Sequence, residues 1–529
     1  MLFTSYEFLG FLAVLFLLYY VLPKRCQRPL LLIGSYVFYF IAGPAFLFYI
    51  LVTTASTWFA ARRIGDNLTR QSAYLREHKA ELDRDAKKAY KEGEKRVRRK
   101  WVIACLLVNL GILAVVKYTN FVISNINGVL SLFGGEGLSF VKLALPLGIS
   151  FYTFQAVGYL IDVYRGTVPA ERSLPRFALF ISFFPQLIQG PISRYGDLSR
   201  TLYQEHSFDG KQVSFGLQRM LWGYFKKMVV ADRVLAAVMT IVGGPEEYRG
   251  AYILAGMVFY TLQLYADFTG GIDITIGIAQ VLGITVQENF IRPYFSKSLK
   301  EYWRRWHVSM SSWFRDYLFY PVSTSKWMQK FTRFAKARLG EKAGRRLPVY
   351  LSMFVVWFAT GVWHGASWNF ITWGLANWVV LMASEELEPL YAKFHQRFAV
   401  NGKFWYRLFQ VGRTFLLVCI LNLFDCYSSL SLTFGAFASV FTAGNWSVLW
   451  DGSLMALGLS ALDYGILAAG VALMLLVSLS QRGGSVREKI ARKPYAVRFV
   501  VWYGLFLAVL LMGAYGIGYD ASQFIYNQF

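Results

Sequence analysis

Charged residues are scarce in this chain of 529 residues. They make up 16% of it, whereas an average soluble domain contains about 25%. Hydrophobic residues reach 56%, which excludes an intrinsically disordered chain. The net charge is nevertheless +24, and such a charge is also found in nucleic-acid-binding proteins. Because so few residues are charged in all, the composition argues against a nucleic-acid partner. It indicates a polytopic membrane protein whose basic residues are concentrated in a few segments.

Cysteine is also scarce, and several chemical motifs are missing. The four cysteines form no CxxC pair and no dense pattern, which excludes a disulfide scaffold. The sequence contains no P-loop, dinucleotide fingerprint, G-x-S-x-G or H-E-x-x-H motif, so we expect no metal and no bound cofactor. Residues 1–10 lack the basic start of a cleaved signal peptide. The first apolar run is therefore predicted to be a retained anchor.

Apolar stretches follow one another along almost the whole chain. The clearest are 8–22, 29–43, 44–61, 101–119, 141–160, 176–192, 216–242, 251–285, 349–383, 405–424, 455–480 and 499–518. Several approach the roughly 20 residues that a helix needs to cross a bilayer. We predict an all-α polytopic membrane protein with about 10–12 transmembrane helices plus re-entrant or interfacial helices. Residues 1–529 are expected to form a single integral membrane domain.

Three polar segments carry most of the charge. Residues 62–100 have a net charge of +7, residues 326–346 also +7, and residues 481–498 +5, which together account for 19 of the +24. The positive-inside rule predicts that all three are cytoplasmic, the first as a helical hairpin and the other two as loops. Lys24, Arg25 and Arg28 place the first connection on the same side. Both termini are therefore predicted to be extracytoplasmic.

The first candidate site residue is His307, within the sequence WRRWH at 303–307. On a helix over 303–317, the tryptophans would form one stripe while Arg304 and His307 share another face. The pattern therefore predicts an amphipathic helix over this range. Two interpretations remain open. The helix either lies in the headgroup layer with its arginines on lipid phosphates, or enters the membrane and turns its polar face to a cavity.

The second candidate is His364, within the sequence GVWHGASWN at 361–369. A helix that begins near Pro348 would carry His364 roughly 20–25 Å into the membrane. Gly361 and Gly365 have the small-xxx-small spacing that lets another backbone approach closely. A buried histidine can simply bond two helices together. An ionisable group at this depth is nonetheless a functional candidate, and imidazole is suited to act as a general base.

Other polar residues interrupt the apolar stretches, and they leave a transporter or flippase open as an alternative function. They are Asp162, Lys226, Lys227, Asp232, Asp267 and Asp273. A chain of carboxylates is typical of ion and proton pathways. Pairing of Lys226 or Lys227 with Asp232 is the simpler interpretation. A third alternative is a non-catalytic scaffold of a glycan export complex.

Several motifs occur in a fixed order along the chain. They are LPLGISFY at 145–152, YLIDVYRG at 159–166, QLYADF at 263–268, ENF at 288–290, RPY at 292–294, WRRWH at 303–307, FRDY at 314–317 and WHG at 363–365. In this order they resemble the bacterial membrane-bound O-acyltransferases (MBOAT), and most of all the alginate O-acetyltransferase branch. The resemblance covers roughly residues 1–425. It weakens after Tyr320, where residues 321–325 replace a glycine-rich turn, and is poor after Asp425.

The resemblance implies a fold with a central tunnel that holds His364. An acyl thioester would enter from the cytoplasm, and the acyl group would pass to a hydroxyl on the far side. His364 is then the expected base, with His307 positioning the acceptor or stabilising the oxyanion. Arg304, Asn369 and Asp316 are expected to contact substrate.

The resemblance also implies the partners. We expect acetyl-CoA or another acyl thioester as co-substrate, an extracytoplasmic polysaccharide as acceptor, and an exported SGNH-hydrolase-like protein that completes the transfer. Membrane lipids surround the protein, and no nucleic acid is expected to bind. The alternative within the same fold is D-alanyl transfer to teichoic acid, with a carrier protein as the donor.

Overall fold

The structure, a computed structural model, describes residues 3–515, and every regular element among them is helical. The α-helices are α1 Tyr6–Val21, α2 Gln27–Ala42, α3 Phe46–Glu77, α4 Arg84–Leu132, α5 Ile149–Arg165, α6 Leu174–Ser182, α7 Phe184–Gln189, α8 Tyr195–Leu202, α9 Gly210–Tyr224, α10 Asp232–Gly243, α11 Ala251–Val281, α12 Leu299–Arg305, α13 Val308–Phe314, α14 Tyr320–Ser323, α15 Lys326–His364, α16 Trp368–Glu386, α17 Glu388–Phe398, α18 Phe404–Cys426, α19 Leu430–Thr442, α20 Ala461–Ser480, α21 Val486–Ala491 and α22 Tyr495–Met512. π-helical turns occur at Phe225–Ala231 and Arg315–Phe319, and 3-10 turns at Lys24–Cys26, Pro293–Phe295, Trp446–Leu449, Ser453–Ala456 and Gln481–Gly483. The predicted all-α class is confirmed.

Five helical segments of the described chain are long and apolar enough to cross a membrane. They are Arg84–Leu132, Lys326–His364, Phe404–Cys426, Ala461–Gly483 and Tyr495–Met512. Two shorter apolar helices, Tyr6–Val21 and Leu430–Thr442, accompany them. The protein is therefore a multi-pass membrane protein, while the larger total of about 10–12 spans stays a prediction. The end of the last apolar stretch, residues 516–518, and the predicted position of the C-terminus lie outside the described residues.

The described chain divides into two compact units. The first contains the residues up to Val213 together with Ile278–Gln287, and the second contains Ser214–Gly277 together with the residues from Glu288 onward. The expected single domain over 1–529 stays a prediction. All residues of the candidate site belong to the second unit.

In the first unit, the basic segment 62–100 forms the end of α3 and the beginning of α4. Asp83 caps α4 by accepting a hydrogen bond from the Ala86 backbone N–H at 2.6 Å. The buried Arg98 of α4 donates to the side-chain oxygen of Asn67 on α3 at 2.8 Å. The second contact joins the two antiparallel helices, which are connected by a short turn at 78–83. The cytoplasmic location of the segment stays a prediction.

In the second unit, α15 and α16 form a hairpin with His364 at its tip. Residues 326–346, for which we predicted a loop, are instead helical on both sides of a break at Gly340, where φ is 85°. This glycine adopts a backbone conformation that a side chain disfavours, and two helical segments meet there at a kink. Residues 481–498, also predicted as a loop, contain the short helix α21.

An ion pair and a hydrogen bond connect α15 and α16 at the end of the hairpin opposite its tip. Arg346 of α15 forms an ion pair with Glu386 of α16, and the Tyr350 hydroxyl donates to the same carboxylate at 2.6 Å. His364 lies 18 residues beyond Arg346, which corresponds to about 27 Å of helix. A Cβ on Gly361 would collide with the backbone of Phe370, so the two helices touch near the tip. The hairpin therefore carries His364 far from the basic segment that precedes it.

Candidate active site

The continuous helix predicted over 303–317 is wrong, because the chain breaks at His307. Helix α12 ends at Arg305 and α13 begins at Val308, with His307 between them at φ 46°. An extended neighbouring segment holds the break: the Val308 N–H donates to the Asn289 carbonyl at 3.0 Å, and the Ile291 N–H to the Arg305 carbonyl at 2.9 Å. A left-handed conformation is uncommon for a residue other than glycine, and strained residues of this kind cluster at functional sites.

Asn289 orients the His307 ring. The Ser309 N–H donates to Asn289 Oδ1 at 3.0 Å. His307 Nδ1 lies 3.2 Å from the Asn289 amide nitrogen, 3.3 Å from Asn289 Oδ1 and 3.4 Å from Ser309 Oγ. All of these ring contacts are made by Nδ1. Nε2 itself is buried and has no hydrogen-bond partner within residues 3–515. Nδ1 thus holds the ring in place, and Nε2 can form a hydrogen bond with a bound molecule.

His307 lies outside the five helices of spanning length, and its side chain is 1% exposed. Burial lowers its pKa well below the usual range, and the His364 imidazole adds to the effect. The lowered pKa favours the neutral form of the His307 imidazole. A neutral ring with its proton on Nε2 is a hydrogen-bond donor rather than a cation.

His364 is the last residue of α15 and is half-buried. Aromatic rings surround it, with the Trp373 ring centroid at 4.5 Å and that of Trp363 at 5.1 Å. The Trp363 ring also lies 6.2 Å from the His307 ring. The two histidines therefore belong to one aromatic cluster, although 57 residues separate them in sequence.

Both histidines line the same cavity, which has a volume of about 420 Å³. Its lining consists of Leu264, Phe268, Tyr302, Trp303, Trp306, His307, His364, Trp373, Asn422 and Asp425. Most of these side chains are apolar, so the few polar groups act in surroundings that screen charge weakly. A cavity of this kind can offer one imidazole as a base and another as a hydrogen-bond donor.

The structure does not bring the other three predicted site residues to this cavity. Arg304 is exposed on α12, and Asp316 pairs with Arg315, the Oδ1–Nε distance being 2.8 Å. The buried Asn369 donates to the Tyr427 carbonyl at 2.6 Å and so joins α16 to the segment after α18. None of the three is among the residues that line the cavity. Their contact with substrate stays a prediction, and the geometry gives it no support.

Two residues at or beside the cavity were not identified from the sequence. Asn289 belongs to the ENF motif, but nothing in the spacing of the motif indicated that it orients a histidine 18 residues later. Asp425 lies in the last turn of α18, directly after the apolar stretch 405–424. A carboxylate at the end of an apolar stretch was the signal that could have found it.

The buried lysines that left a transporter open are paired with carboxylates. The distance from Lys227 Nζ to Asp232 Oδ1 is 2.6 Å and that to Asp267 Oδ1 is 2.7 Å, so the predicted pairing with Asp232 is confirmed. Lys226 pairs with Asp273 instead, at 2.7 Å. Both lysines lie on the π-helical turn at Phe225–Ala231, which packs against α10 and α20. Three of the four carboxylates of the transporter hypothesis are therefore accounted for by structural ion pairs.

An aromatic cavity with two imidazoles, inside a multi-pass helical protein, is suited to acid–base chemistry. The family model described as MBOAT, membrane-bound O-acyltransferase family, matches residues 168–335, which include His307. A probable alginate O-acetylase of Azotobacter vinelandii is 32% identical over 459 residues, which are 85% of this chain and 79% of that protein.

Two relatives with other acceptors are also similar. A peptidoglycan O-acetyltransferase of Helicobacter pylori is 30% identical and covers 73% of this chain and 70% of its own length. A teichoic acid D-alanyltransferase of Bacillus subtilis is 27% identical and covers 52% of this chain and 66% of its own length. The chain belongs to the membrane-bound O-acyltransferase family and is an O-acyltransferase.

Proposed function

We propose that the protein transfers an acetyl group from cytosolic acetyl-CoA to a hydroxyl outside the cytoplasmic membrane. The acceptor is a polysaccharide of the cell envelope or an exported SGNH-hydrolase-like partner that passes the acetyl group on. The names of the two acetyl-transferring relatives support the acetyl group and the envelope acceptor. The observation that carries the proposal is that His307 and His364 line one cavity.

In the proposed reaction, His364 takes the proton of the acceptor hydroxyl. The hydroxyl oxygen then forms a bond to the thioester carbonyl carbon, and the carbon–sulfur bond breaks. The imidazolium of His364 returns its proton to the leaving thiolate, so no net charge remains in the cavity. General base catalysis of this kind contributes about 10²–10⁴-fold to the rate, which a hydroxyl needs because it is a poor nucleophile while protonated.

His307 stabilises the tetrahedral intermediate in this scheme. Its Nε2–H is aimed by the contact of Asn289 with Nδ1, and a donor fixed in advance requires no reorganisation during the reaction. Because the ring is neutral, it donates to the oxyanion without adding a second cation beside the His364 imidazolium. Loss of one such donor typically lowers kcat by about 10²–10³-fold.

A second cavity of the same unit, of about 560 Å³, supports entry of the donor from the cytoplasm. Its lining includes Arg219, Lys226 and Gln481, the last of which begins the basic segment 481–498. Phe290 also lines it and lies 4.9 Å from Trp306 of the histidine cavity, measured between ring centroids. A pair of aromatic rings in contact therefore joins the linings of the two cavities. Arg219 and Lys226 are paired with Asp273 and Glu288 of the same lining. Arg292 is the remaining cation of the lining, and its charge is suited to the phosphates of coenzyme A.

The positive-inside rule supports a topology with the three basic segments in the cytoplasm and both termini outside. The bacterial relatives support a location in the inner membrane of a bacterium. D-alanyl transfer is the second candidate reaction, and the similarity to a teichoic acid D-alanyltransferase favours it. A carrier protein would then replace acetyl-CoA as the donor.

Cells that express the protein or its His364→Ala variant test the proposed function. We expect acetyl esters on a surface polysaccharide or on an exported protein with the wild-type chain and none with the variant. His78→Ala, in the turn between α3 and α4, is the matched control and keeps the esters. D-alanyl esters in place of acetyl esters would favour the second candidate. Neither ester in cells that contain the folded wild-type protein would contradict both.

A further inference from the structure

The histidine cavity contains a carboxyl group that the proposed reaction does not use. Asp425 lies in the last turn of α18 and lines the cavity together with both histidines. Its Oδ1 atom is buried and has no hydrogen-bond partner in the part of the chain that the structure describes. Asp425 is also absent from the ion pairs formed among those residues.

The neighbours of Asp425 do not explain this carboxyl. Asn422, one helical turn earlier, also lines the cavity, but its amide donates to the Thr261 hydroxyl at 3.2 Å. Among the described residues of the lining, none is Lys or Arg. A buried acceptor oxygen without a partner destabilises the folded protein, and each such group in a native structure calls for an explanation.

We propose that Asp425 is a substrate-contacting residue whose carboxyl oxygen accepts a hydrogen bond from the bound substrate. This inference rests on the proposed acyl transfer. The reacting acyl thioester head carries only acceptors, its carbonyl oxygen and its sulfur, and so cannot supply that hydrogen. The reacting hydroxyl gives its single proton to His364. The hydrogen therefore comes from a second O–H or N–H of the substrate.

Two groups have this chemistry. One is a further hydroxyl of the acceptor, which makes the acceptor a polyol such as a sugar residue. The other is the amide N–H of the pantetheine arm, close to the sulfur of the donor. Either hydrogen reaches Oδ1 only when substrate fills the cavity. Substrate binding therefore removes the free-energy cost of a buried oxygen that has no hydrogen-bond partner.

The test compares Asp425→Ala with Asp425→Asn in purified full-length protein. The probes are acetyl-CoA as donor and deacetylated alginate oligosaccharide as acceptor. We expect Asp425→Ala to raise the KM of one probe by about 10- to 100-fold with kcat little changed, because one hydrogen bond to substrate is lost. Asp425→Asn keeps an acceptor oxygen and stays within a few-fold of wild type. A raised KM for the oligosaccharide identifies an acceptor hydroxyl, and one for acetyl-CoA identifies the pantetheine amide.

Thermal unfolding of the ligand-free variants provides a readout independent of activity. Because the unpartnered oxygen is removed, we expect Asp425→Ala to have a Tm equal to or above that of wild type. Asp451→Asn is the control: this exposed carboxylate accepts a hydrogen bond from the Ser453 N–H at 2.9 Å, far along the chain from the cavity residues.

Three results would overturn the inference. They are unchanged KM values for both probes in Asp425→Ala, a lowered Tm in that variant, and an equal fall of kcat in both Asp425 variants with KM unchanged. A failure of the proposed function gives a distinguishable result, because the wild-type protein itself would then transfer no acyl group. In that event the Tm comparison and the Kd of acetyl-CoA still test Asp425.

Discussion

Asn289 holds His307 through Nδ1, with 3.2 Å between the amide nitrogen and the ring nitrogen. Asn289 is completely buried, and its Oδ1 is engaged by the Ser309 N–H, so the side chain has little freedom to turn. The same residue accepts from the Val308 N–H through its backbone carbonyl. One asparagine therefore contacts both the strained backbone beside His307 and the His307 ring.

Replacement of Asn289 should impair the reaction while leaving both histidines in place. In Asn289→Ala the ring loses its fixed partner, and we expect kcat for acetyl transfer to fall by about 10-fold or more. The measurement is the steady-state rate of acetyl transfer to oligosaccharide with purified protein. Asn120→Ala, which removes a side chain bonded to Val141 in the first unit, is the control. A wild-type kcat in Asn289→Ala would show that the orientation of His307 does not matter.

Close packing near the tip of the α15–α16 hairpin gives a second prediction. A Cβ at Gly361 would lie 2.5 Å from the Phe370 carbonyl oxygen, which is backbone and cannot move aside easily. We expect Gly361→Ala to lower the free energy of unfolding by about 1–3 kcal/mol, typical of overpacking. Gly412→Ala on α18 is the matched control, because a Cβ there meets nothing within 4 Å. Equal Tm values for both variants would contradict the packing described for the hairpin.

The ion pairs around Lys227 give a third prediction. Lys227→Met leaves two buried carboxylates, Asp232 and Asp267, without their cation, and we expect a loss of about 3–5 kcal/mol in the free energy of unfolding. Lys300→Met is the control, since the exposed pair of Lys300 with Glu385 contributes about 0–1 kcal/mol. Thermal unfolding in detergent measures both. A Lys227→Met protein as stable as wild type would reopen an ion-pathway role for these carboxylates.

Much of the fold was predictable because the length of an apolar stretch and the charge of a polar one are properties of neighbouring residues. The apolar stretches, the helical character of 62–100 and the two histidine motifs can all be read from neighbouring residues. The break at His307 was not predictable, since residues 303–317 have helical periodicity throughout. Backbone hydrogen bonds from residues 289–291, distant in sequence, override that periodicity. The helical path of 326–346 was missed because its basic composition resembles that of a loop.

The site was predictable only in part for the same reason. His307 and His364 are identifiable from the sequence because each is an ionisable residue within an aromatic, apolar stretch. Arg304 shares a predicted helical face with His307, but that face disappears when the helix breaks. Asp425 reaches the cavity from α18, which no local pattern links to the histidines. Tertiary packing alone brings these residues together or keeps them apart.

The acetyl-transfer rate of the His364→Gln protein tests the role of His364 most directly. Glutamine is similar in size and forms hydrogen bonds but cannot act as a base at neutral pH. With purified protein, acetyl-CoA and a hydroxyl acceptor, we predict a kcat at least about 10²-fold below wild type, with the Kd of acetyl-CoA little changed. His395→Gln, at a histidine on α17 that contacts the Tyr406 hydroxyl at 2.7 Å, should retain full activity. A folded His364→Gln protein that transfers acetyl groups at the wild-type rate would contradict the assignment of His364 as the base.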